Sequence, residues 1–191
     1  MSAVRAGPVD VLLCEPGTTD TEVRNVRPSD AAEMWRLVRR SEALDLNSPY
    51  AYLLLCRHHG RTCLVAEEED RLVGFVTAYV PPAEPDVVFV WQIAVAASHR
   101  RRGLARRLIQ QLLDRCPEAR FVECTVTPSN AASLRLFRDL AAARGAEFSL
   151  TPGFAVGDFP PESPAHEQED VVRIGPFDGG RSDDPSPERN Q

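Results

Sequence analysis

Five arginines surround one glycine in the segment His99–Leu108, HRRRGLARRL, of a chain whose formal net charge is −6. Apolar residues recur at three- and four-residue spacing from Leu104 onward, which predicts a helix whose first turn contains Gly103. A helix N-terminus offers unpaired backbone N–H groups to an anion, and glycine lets the anion approach the backbone. Solvated arginines are the alternative interpretation, but cations oppose the helix dipole at this end. The segment therefore indicates an anion-binding loop.

The composition of the chain excludes some partners for this loop. The 191 residues include 28 acidic side chains against 22 basic ones, whereas nonspecific binding to nucleic acid needs a basic face. No apolar run approaches the length of a membrane helix and the first residues do not resemble a signal peptide, so we expect a cytoplasmic protein. The cysteines lack the spacing of a disulfide framework or a zinc site, so we expect reduced thiols and no metal. They are Cys14, Cys56, Cys63, Cys116 and Cys124.

The distribution of apolar residues predicts one folded domain between two loose ends. Residues 1–20 and 177–191 are rich in Pro, Gly and polar residues and offer little to bury, so we expect a flexible N-terminus and a disordered C-terminal tail. The domain then spans residues 21–176, which is long enough for a proper core.

Two helices are predicted near the start of this domain, after a strand over 21–27. Ser29 or Asp30 opens the first helix, with Glu33 placed for a capping box. Ser48 is the candidate N-cap of the second, with Pro49 at its first position.

Three β-rich runs follow these helices. The runs CLVAEE and RLVGFVTAYV flank an acidic turn and predict a hairpin, and DVVFVWQIAV is apolar on both faces, as is typical of a central strand. After the arginine segment, FVECTVT alternates as a strand and an amphipathic helix ends at Gly145. The order βααβββαβα with an extended tail predicts an α/β (α+β) fold.

The spacing Arg100-x-x-Gly103-x-Ala105 after a buried strand resembles the GNAT N-acetyltransferase superfamily. The resemblance implies a central mixed, mostly antiparallel sheet flanked by helices and splayed where acetyl-CoA binds, with the pyrophosphate on residues 100–106. It also implies that the preceding strand lends backbone groups to acetyl-CoA. The expected cofactor contacts are Ile93, Ala94, Val95, Arg100, Arg101, Arg102, Gly103, Leu104, Ala105, Arg106, Asn130, Ser133 and Phe137.

Four stretches resemble one family within this superfamily, the L-2,4-diaminobutyrate acetyltransferases of ectoine biosynthesis. They are LDLNSPYAYLLLC, VFVWQIAV, TVTPSNAASLRLF and HEQEDVVRIGP. The resemblance implies a homodimer that transfers an acetyl group from acetyl-CoA to the 4-amino group of L-2,4-diaminobutyrate, a metabolite of the osmotic stress response. The sequence departs from many GNAT enzymes at Phe137. Those enzymes have a tyrosine there that protonates the leaving thiolate, so another donor or water must serve in this chain.

The acceptor carries two ammonium groups and one carboxylate, so its site needs acids for the amines and a donor for the carboxylate. The amine must also lose a proton, because an ammonium is not a nucleophile. The resemblance places Asp45, Glu123 and Glu169 as candidate catalytic acids or bases. The whole expected acceptor set is Asp45, Tyr50, Trp91, Glu123, His166, Glu167 and Glu169.

Each of these residues also has a simpler interpretation. Glu123 could be a solvated glutamate at a sheet edge, although a carboxylate within a central strand is costly without a partner. Asp45 could cap the second helix, His166 could be a surface histidine, and Trp91 could belong to the core beside Ile93.

The expected mechanism is direct attack by the neutral amine in a ternary complex, with the oxyanion stabilised by the backbone N–H of Ile93 or Val95. Cys124 is interpreted as a core residue, so no acyl-cysteine is expected. Two other functions stay open: acetylation of another small amine, amino acid or protein N-terminus, and an acetyl-CoA-binding regulatory module without turnover, which Phe137 favours.

Overall fold

The computed structural model describes residues 21–41, 44–162 and 166–177. Of the expected loose ends, 1–20 and 177–191, residues 1–20 and 178–191 lie outside the described ranges. Phe177, the first residue of the expected tail, packs against the core, and its N–H donates to the Arg120 carbonyl oxygen at 2.7 Å. Four α-helices form in the described ranges: α1 (Ala31–Ser41), α2 (Pro49–His58), α3 (Leu104–Asp114) and α4 (Ala131–Arg144). Seven strands form there: β1 (Glu22–Asn25), β2 (Leu64–Glu68), β3 (Arg71–Tyr79), β4 (Val87–Val95), β5 (Phe121–Val126), β6 (Phe148–Phe154) and β7 (Glu169–Ile174).

The seven strands form one sheet in the order β1-β2-β3-β4-β5-β7-β6. The pair β4 and β5 is parallel and the other neighbours are antiparallel, so the sheet is mixed and mostly antiparallel, as predicted. The predicted hairpin is β2 and β3, whose turn residues Glu69 and Asp70 both have positive φ. The helices lie on both faces, which confirms the α/β fold class.

The parallel strands β4 and β5 separate along their length. Their register joins only Val87–Phe89 to Phe121–Glu123, although β4 continues to Val95 and β5 to Val126. The sheet is therefore splayed between the C-terminal halves of these two strands, which confirms the expected opening. Backbone groups on the facing edges have no ladder partner there.

The core consists of one apolar cluster on each face of the sheet. Leu108, Ile109 and Leu112 of α3 are fully buried against one face, and α4 packs beside them. Residues of α1 and α2 cover the other face, against Phe75 and Ala94. Burying each such side chain stabilises the fold by about 1.5–3 kcal/mol, so both helix pairs are held firmly against the strands.

The helix starts agree only partly with the sequence. Ser48 caps α2, because its hydroxyl accepts a hydrogen bond from Ala51 N–H at 3.2 Å. The capping box expected at Glu33 is wrong. A short 3-10 turn precedes α1, where the Asp30 carboxylate accepts from Arg27 N–H at 2.6 Å, and the Glu33 carboxylate pairs with Arg36 instead.

The segment after α4 is more regular than the extended tail that the sequence predicted. It forms β6 and β7, and β7 inserts between β5 and β6 as a full antiparallel neighbour of both. The weak signal has a physical reason: β6 contains Pro152 and Gly153, both poor strand formers, and is an exposed edge strand.

Candidate active site

A cavity of about 510 Å³ lies beside the splay. The C-terminal end of β4, the arginine segment with the start of α3, and the first half of α4 form most of its wall. Of the expected cofactor contacts, these residues line it: Ile93, Ala94, Val95, Arg100, Arg101, Gly103, Leu104, Ala105, Arg106, Asn130 and Ser133.

Two expected contacts lie outside this lining. The side chain of Phe137 is 2% exposed and belongs to the core cluster around α3 and α4, so its ring does not reach the cavity. Arg102 is exposed to solvent and is likewise absent from the lining. The structure gives neither residue a contact with the cavity.

Gly103 forms the entrance to α3 and precedes the helix, whereas the sequence had placed it inside the first turn. It is the N-cap, with φ +78° and ψ 3°, a left-handed conformation that glycine adopts without strain. Its carbonyl accepts the first helical hydrogen bond, from Arg107 N–H at 3.0 Å. The N–H groups of the next three residues have no acceptor within the helix. Since those residues line the cavity, this end of α3 suits an anion.

His99 anchors the start of the same loop, and sequence reasoning missed it. Its Nε2 lies 2.7 Å from Glu68 Oε2 at the end of β2, and its Nδ1 lies 2.8 Å from Ser98 Oγ. The neighbouring arginines and Gly103 indicated the loop from the sequence. No pattern in one chain shows that β2 ends beside this histidine. Its contact ties the loop to the β2–β3 hairpin.

Asn130 occupies the N-cap of α4 at the cavity wall. Its Oδ1 accepts from Ser133 N–H at 3.1 Å. The cap uses the oxygen of the amide, so the NH₂ group is the part of this side chain that can serve a ligand.

Trp91 is the extra residue of a β-bulge in β4. Thr77 pairs with Gln92 and Ala78 pairs with Val90, so Trp91 is an extra residue without a partner on β3. Its side chain is 48% exposed and contacts the Tyr79 ring edge-on, at 6.3 Å between centroids. The core interpretation of Trp91 is therefore wrong.

The bulge also separates Trp91 from the face on which the alternation had placed it. Val90 and Ile93 pack toward α3 and α4, whereas Ala94 packs toward α1 and α2. Ile93 and Val95 thus face the cavity side of the sheet, and Trp91 does not share their row.

A buried hydrogen-bond chain fixes the segment before α2. The Tyr52 hydroxyl donates to Gln92 Oε1 at 2.8 Å, and Gln92 Nε2 donates to the Asp45 carbonyl oxygen at 2.9 Å. Burial raises the pKa of Tyr52, so its hydroxyl stays protonated and donates. The chain brings Asp45 beside the bulge. Its carboxylate is exposed and does not cap α2, since Ser48 does.

Glu123 is paired, and its interpretation as a solvated edge glutamate is wrong. It lies on β5, an interior strand, and its side chain is 17% exposed. Its carboxylate accepts a hydrogen bond from Arg173 Nη1, on the directly opposite residue of β7. The same Nη1 donates to Glu84 Oε2 at 3.1 Å. Sequence reasoning missed Arg173, because a cross-strand pair depends on register.

The remaining expected acceptor residues are more dispersed. Tyr50 is 66% exposed on α2. The His166 ring stacks on Phe159 at 4.4 Å, and the Glu167 carboxylate accepts from the backbone and hydroxyl of Ser129. Glu169 begins β7, one residue beyond the pair of Asp170 with Val126 at the end of β5. The structure thus places Glu123 and Trp91 on the two strands beside the splay, with Asp45 held next to the bulge by Gln92, and leaves the others on separate elements.

The cysteines of the described ranges do not supply a nucleophile to this site. The four cysteines in the described ranges are free thiols. Burial raises the pKa of Cys124, and the nearby charges of Glu123 and Glu169 raise it further, so the thiol stays protonated at neutral pH. Cys14 lies outside the described residues. Within the described ranges, no cluster of His, Cys, Asp and Glu suits a metal ion, and no helix is long and apolar enough to cross a membrane.

The splayed mixed sheet, with the start of α3 beside the splay, is the fold of a GNAT acetyltransferase. The sequence profile of the Acetyltransferase (GNAT) family matches residues 30–141. L-2,4-diaminobutyric acid acetyltransferases are similar throughout: that of Halalkalibacterium halodurans is 47% identical over 171 residues, 87% of this chain and 89% of the relative. That of Marinococcus halophilus is 49% identical over 150 residues, which cover 78% of this chain and 86% of the relative. The chain therefore belongs to the L-2,4-diaminobutyric acid acetyltransferase family, as the resemblance predicted.

Solved structures agree with this assignment. Diaminobutyrate acetyltransferase EctA from Paenibacillus lautus, in complex with L-2,4-diaminobutyric acid and coenzyme A, superposes with a TM-score of 0.80. It is 42% identical, over 83% of this chain and 96% of that one. Ard1 from Thermoplasma volcanium, at 18% identity and a TM-score of 0.65, shares the fold.

Proposed function

We propose that this protein transfers the acetyl group of acetyl-CoA to the 4-amino group of L-2,4-diaminobutyrate, giving N4-acetyl-L-2,4-diaminobutyrate and CoA. The observation that carries the proposal is the 42% identity, over 83% of the chain, with an enzyme solved in complex with both diaminobutyrate and coenzyme A. The site supports it, because the cavity at the start of α3 and the strands that carry Glu123 and Trp91 lie beside the same splay.

On the cofactor side, the start of α3 holds the pyrophosphate of acetyl-CoA. The backbone N–H groups of residues 104–106 and the guanidinium groups of Arg100, Arg101 and Arg106 supply the donors. Asn130 offers its amide NH₂ from the opposite wall. Acetyl-CoA then extends along the end of β4, so that its thioester reaches the gap between β4 and β5.

On the acceptor side, the amine must become neutral before it attacks, because its ordinary pKa is about 10.4. Glu123, Asp45 or Glu169 accepts that proton, directly or through water. The amine nitrogen forms a bond to the thioester carbon, and the backbone N–H of Ile93 or Val95 stabilises the oxyanion. The carbon–sulfur bond then breaks. The nitrogen loses its second proton as the amide forms, and the leaving thiolate gains a proton from water or from a donor other than Phe137, which has no proton to give and lies in the core.

Steady-state acetylation of diaminobutyrate, ornithine and lysine tests this function. We expect the highest kcat/KM with diaminobutyrate, and NMR of the product should place the acetyl group on the 4-nitrogen. A preference for either longer substrate, or acetylation of the 2-amino group, would contradict the proposal.

The family resemblance also supports a homodimer that acts in the cytoplasm, in ectoine biosynthesis under osmotic stress. Light scattering of the purified full chain tests the assembly, with a mass near twice 21.1 kDa expected. A monomeric mass at micromolar concentration would contradict it.

A further inference from the structure

Arg173 lies beside the splay, on the acceptor side of the sheet. Along β7, Val172 and Ile174 are buried in the cluster under α3 and α4, so Arg173 points to the opposite face. Its direct neighbour across β5 is Glu123, the residue at which the pairing of β4 with β5 ends. The guanidinium therefore lies one strand away from the place where the sheet opens.

The guanidinium is held in one orientation but is not saturated. Nη1 donates to both Glu84 and Glu123, and the Phe121 ring lies 4.1 Å from the guanidinium carbon. Among the described residues, Nε and Nη2 donate no hydrogen bond, and the side chain is 35% exposed. Nε–H and one Nη2–H are parallel donors on a single edge of the planar group, which is the geometry that binds both oxygens of a carboxylate.

The expected acceptor site carries charges of both signs, as an amino acid with a second amine requires. The Arg173 guanidinium is positive and pairs with Glu84 and Glu123. Asp45 before α2 and Glu169 at the start of β7 are the further carboxylates of the expected acceptor set. Neighbouring strands lie about 4.8 Å apart, so a four-carbon acceptor can place its terminal amine at the splay and its carboxylate on β7.

We propose that Arg173 binds the α-carboxylate of the amino-acid acceptor through its Nε and Nη2 edge, while Glu84 and Glu123 hold the guanidinium in place. The inference rests on the proposed function and adds the basis of acceptor selectivity. A site that binds a substrate carboxylate through two parallel donors loses those hydrogen bonds with an analogue that lacks the carboxylate. The enzyme should therefore discriminate between amino acids and simple diamines.

The test compares two acceptors, diaminobutyrate and 1,3-diaminopropane, which is the same molecule without its carboxylate. The wild-type enzyme should strongly prefer diaminobutyrate. Arg173→Met should lower kcat/KM for diaminobutyrate about hundredfold, chiefly through KM, and change that for 1,3-diaminopropane less than about threefold. Arg173→Lys keeps the charge but loses the paired donors, so its loss should be intermediate, at about tenfold.

Arg144→Met is the matched control. Arg144 forms an ion pair with Asp114 at 3.6 Å and lies over the Phe177 ring at 5.9 Å, so it resembles Arg173 in its contacts but lies outside both sites. Its removal should leave both acceptors unchanged. Melting temperature and acetyl-CoA affinity establish that each variant is folded.

The outcomes separate the two proposals. Equal losses for both acceptors in Arg173→Met and Arg173→Lys would show that Arg173 acts only on Glu123, and would overturn the inference. A wild-type enzyme that acetylates both acceptors equally well would overturn it too. A folded wild-type enzyme that binds acetyl-CoA and does not acetylate diaminobutyrate would instead overturn the proposed function.

Discussion

The cofactor cavity and the acceptor face meet at the same splay but are constructed differently. Most of the cavity comes from two stretches of chain, 93–106 and 130–136, and its principal donors are backbone groups at the start of a helix. The acceptor face takes single side chains from the loop before α2 and from β4, β5 and β7, held by hydrogen bonds between elements. Under the proposed function, backbone conformation therefore governs the binding of acetyl-CoA, and long-range side-chain contacts govern the binding of the acceptor.

This contrast makes the two substrates separable by mutation. A change in acceptor side chains should alter kinetics with diaminobutyrate alone, and a change in loop conformation should alter acetyl-CoA binding alone. A residue that stabilises the fold outside both regions should affect stability and neither KM.

Glu123→Gln should have the largest effect. The amide keeps the size of the side chain but cannot accept the proton or balance the ammonium charge, so kcat/KM for diaminobutyrate should fall by about hundredfold or more. Acetyl-CoA affinity, measured by calorimetry, should stay within about twofold. A raised acetyl-CoA dissociation constant would show that the two regions are coupled, and would contradict their separation.

Glu67→Gln is its control. Glu67 is also a strand glutamate paired with an arginine, Arg24, but it lies at the β1 side of the sheet. Turnover should be unchanged in this variant.

Asp30→Asn should have the next largest effect, on stability. Arg24 donates to both oxygens of the Asp30 carboxylate at 2.8 and 3.0 Å, which joins β1 to the start of α1. Burial alone would raise the pKa of Asp30, but the hydrogen bonds from Arg24 and Arg27 outweigh it and hold the pKa below 3.8. The variant should lose about 2 kcal/mol of unfolding free energy at pH 7, because the carboxylate is ionised there.

The pH dependence of that loss follows from the direction of the shift. A lowered folded-state pKa stabilises the fold fully above the unfolded pKa, and the benefit disappears as pH falls through the folded pKa. Urea unfolding should therefore show a constant difference between wild type and variant at pH 5–7 that shrinks below about pH 4. A difference that grows on acidification, or a change in only one KM at pH 7, would contradict the assigned role.

Gly103→Val should have the smallest of the three effects and act on the other region. A Cβ at this position meets nothing within 4 Å, so the cost is backbone strain at φ +78° and not a clash. Valine resists this conformation, so the loop should shift and acetyl-CoA affinity should fall about tenfold, with the diaminobutyrate KM unchanged.

Gly145→Val is the matched control for that strain. Gly145 has φ +60° and also open space around a Cβ, but it ends α4 away from the cavity. Both variants should lose similar stability in urea unfolding. Equal losses of acetyl-CoA affinity in the two would show that general destabilisation, and not the loop, explains the result.

The sequence predicted best what neighbouring residues determine. Ser48 before Pro49 predicted the start of α2, and the spacing from Arg100 to Ala105 predicted a loop at a helix start, which lines the cavity, because capping and loop chemistry depend on a few adjacent residues. The splay came from family resemblance, which carries long-range information that one chain's periodicity does not.

Three misses, at Trp91, Arg173 and His99, share one physical cause, since each depends on how distant strands align. Strict alternation put Trp91 in the row of Ile93, but the bulge lies opposite Thr77 and Ala78 and is visible only in the register with β3. The contact of Arg173 with Glu123 depends on the pairing of β7 with β5. The contact of His99 with Glu68 depends on the end of β2 lying beside the loop.

The bulge at Trp91 also makes β4 unusually sensitive to its length. Val90 and Ile93 are three positions apart, so regular alternation would put them on opposite sides of the sheet. The extra residue keeps both on the same side. Loss of a single codon at position 91 would remove the indole and leave the rest of the strand in its present pairing. An insertion or deletion elsewhere in β4 would instead reverse the side chains beyond it. Among homologous sequences, the fold should therefore accept an insertion or deletion in this strand only at the bulge.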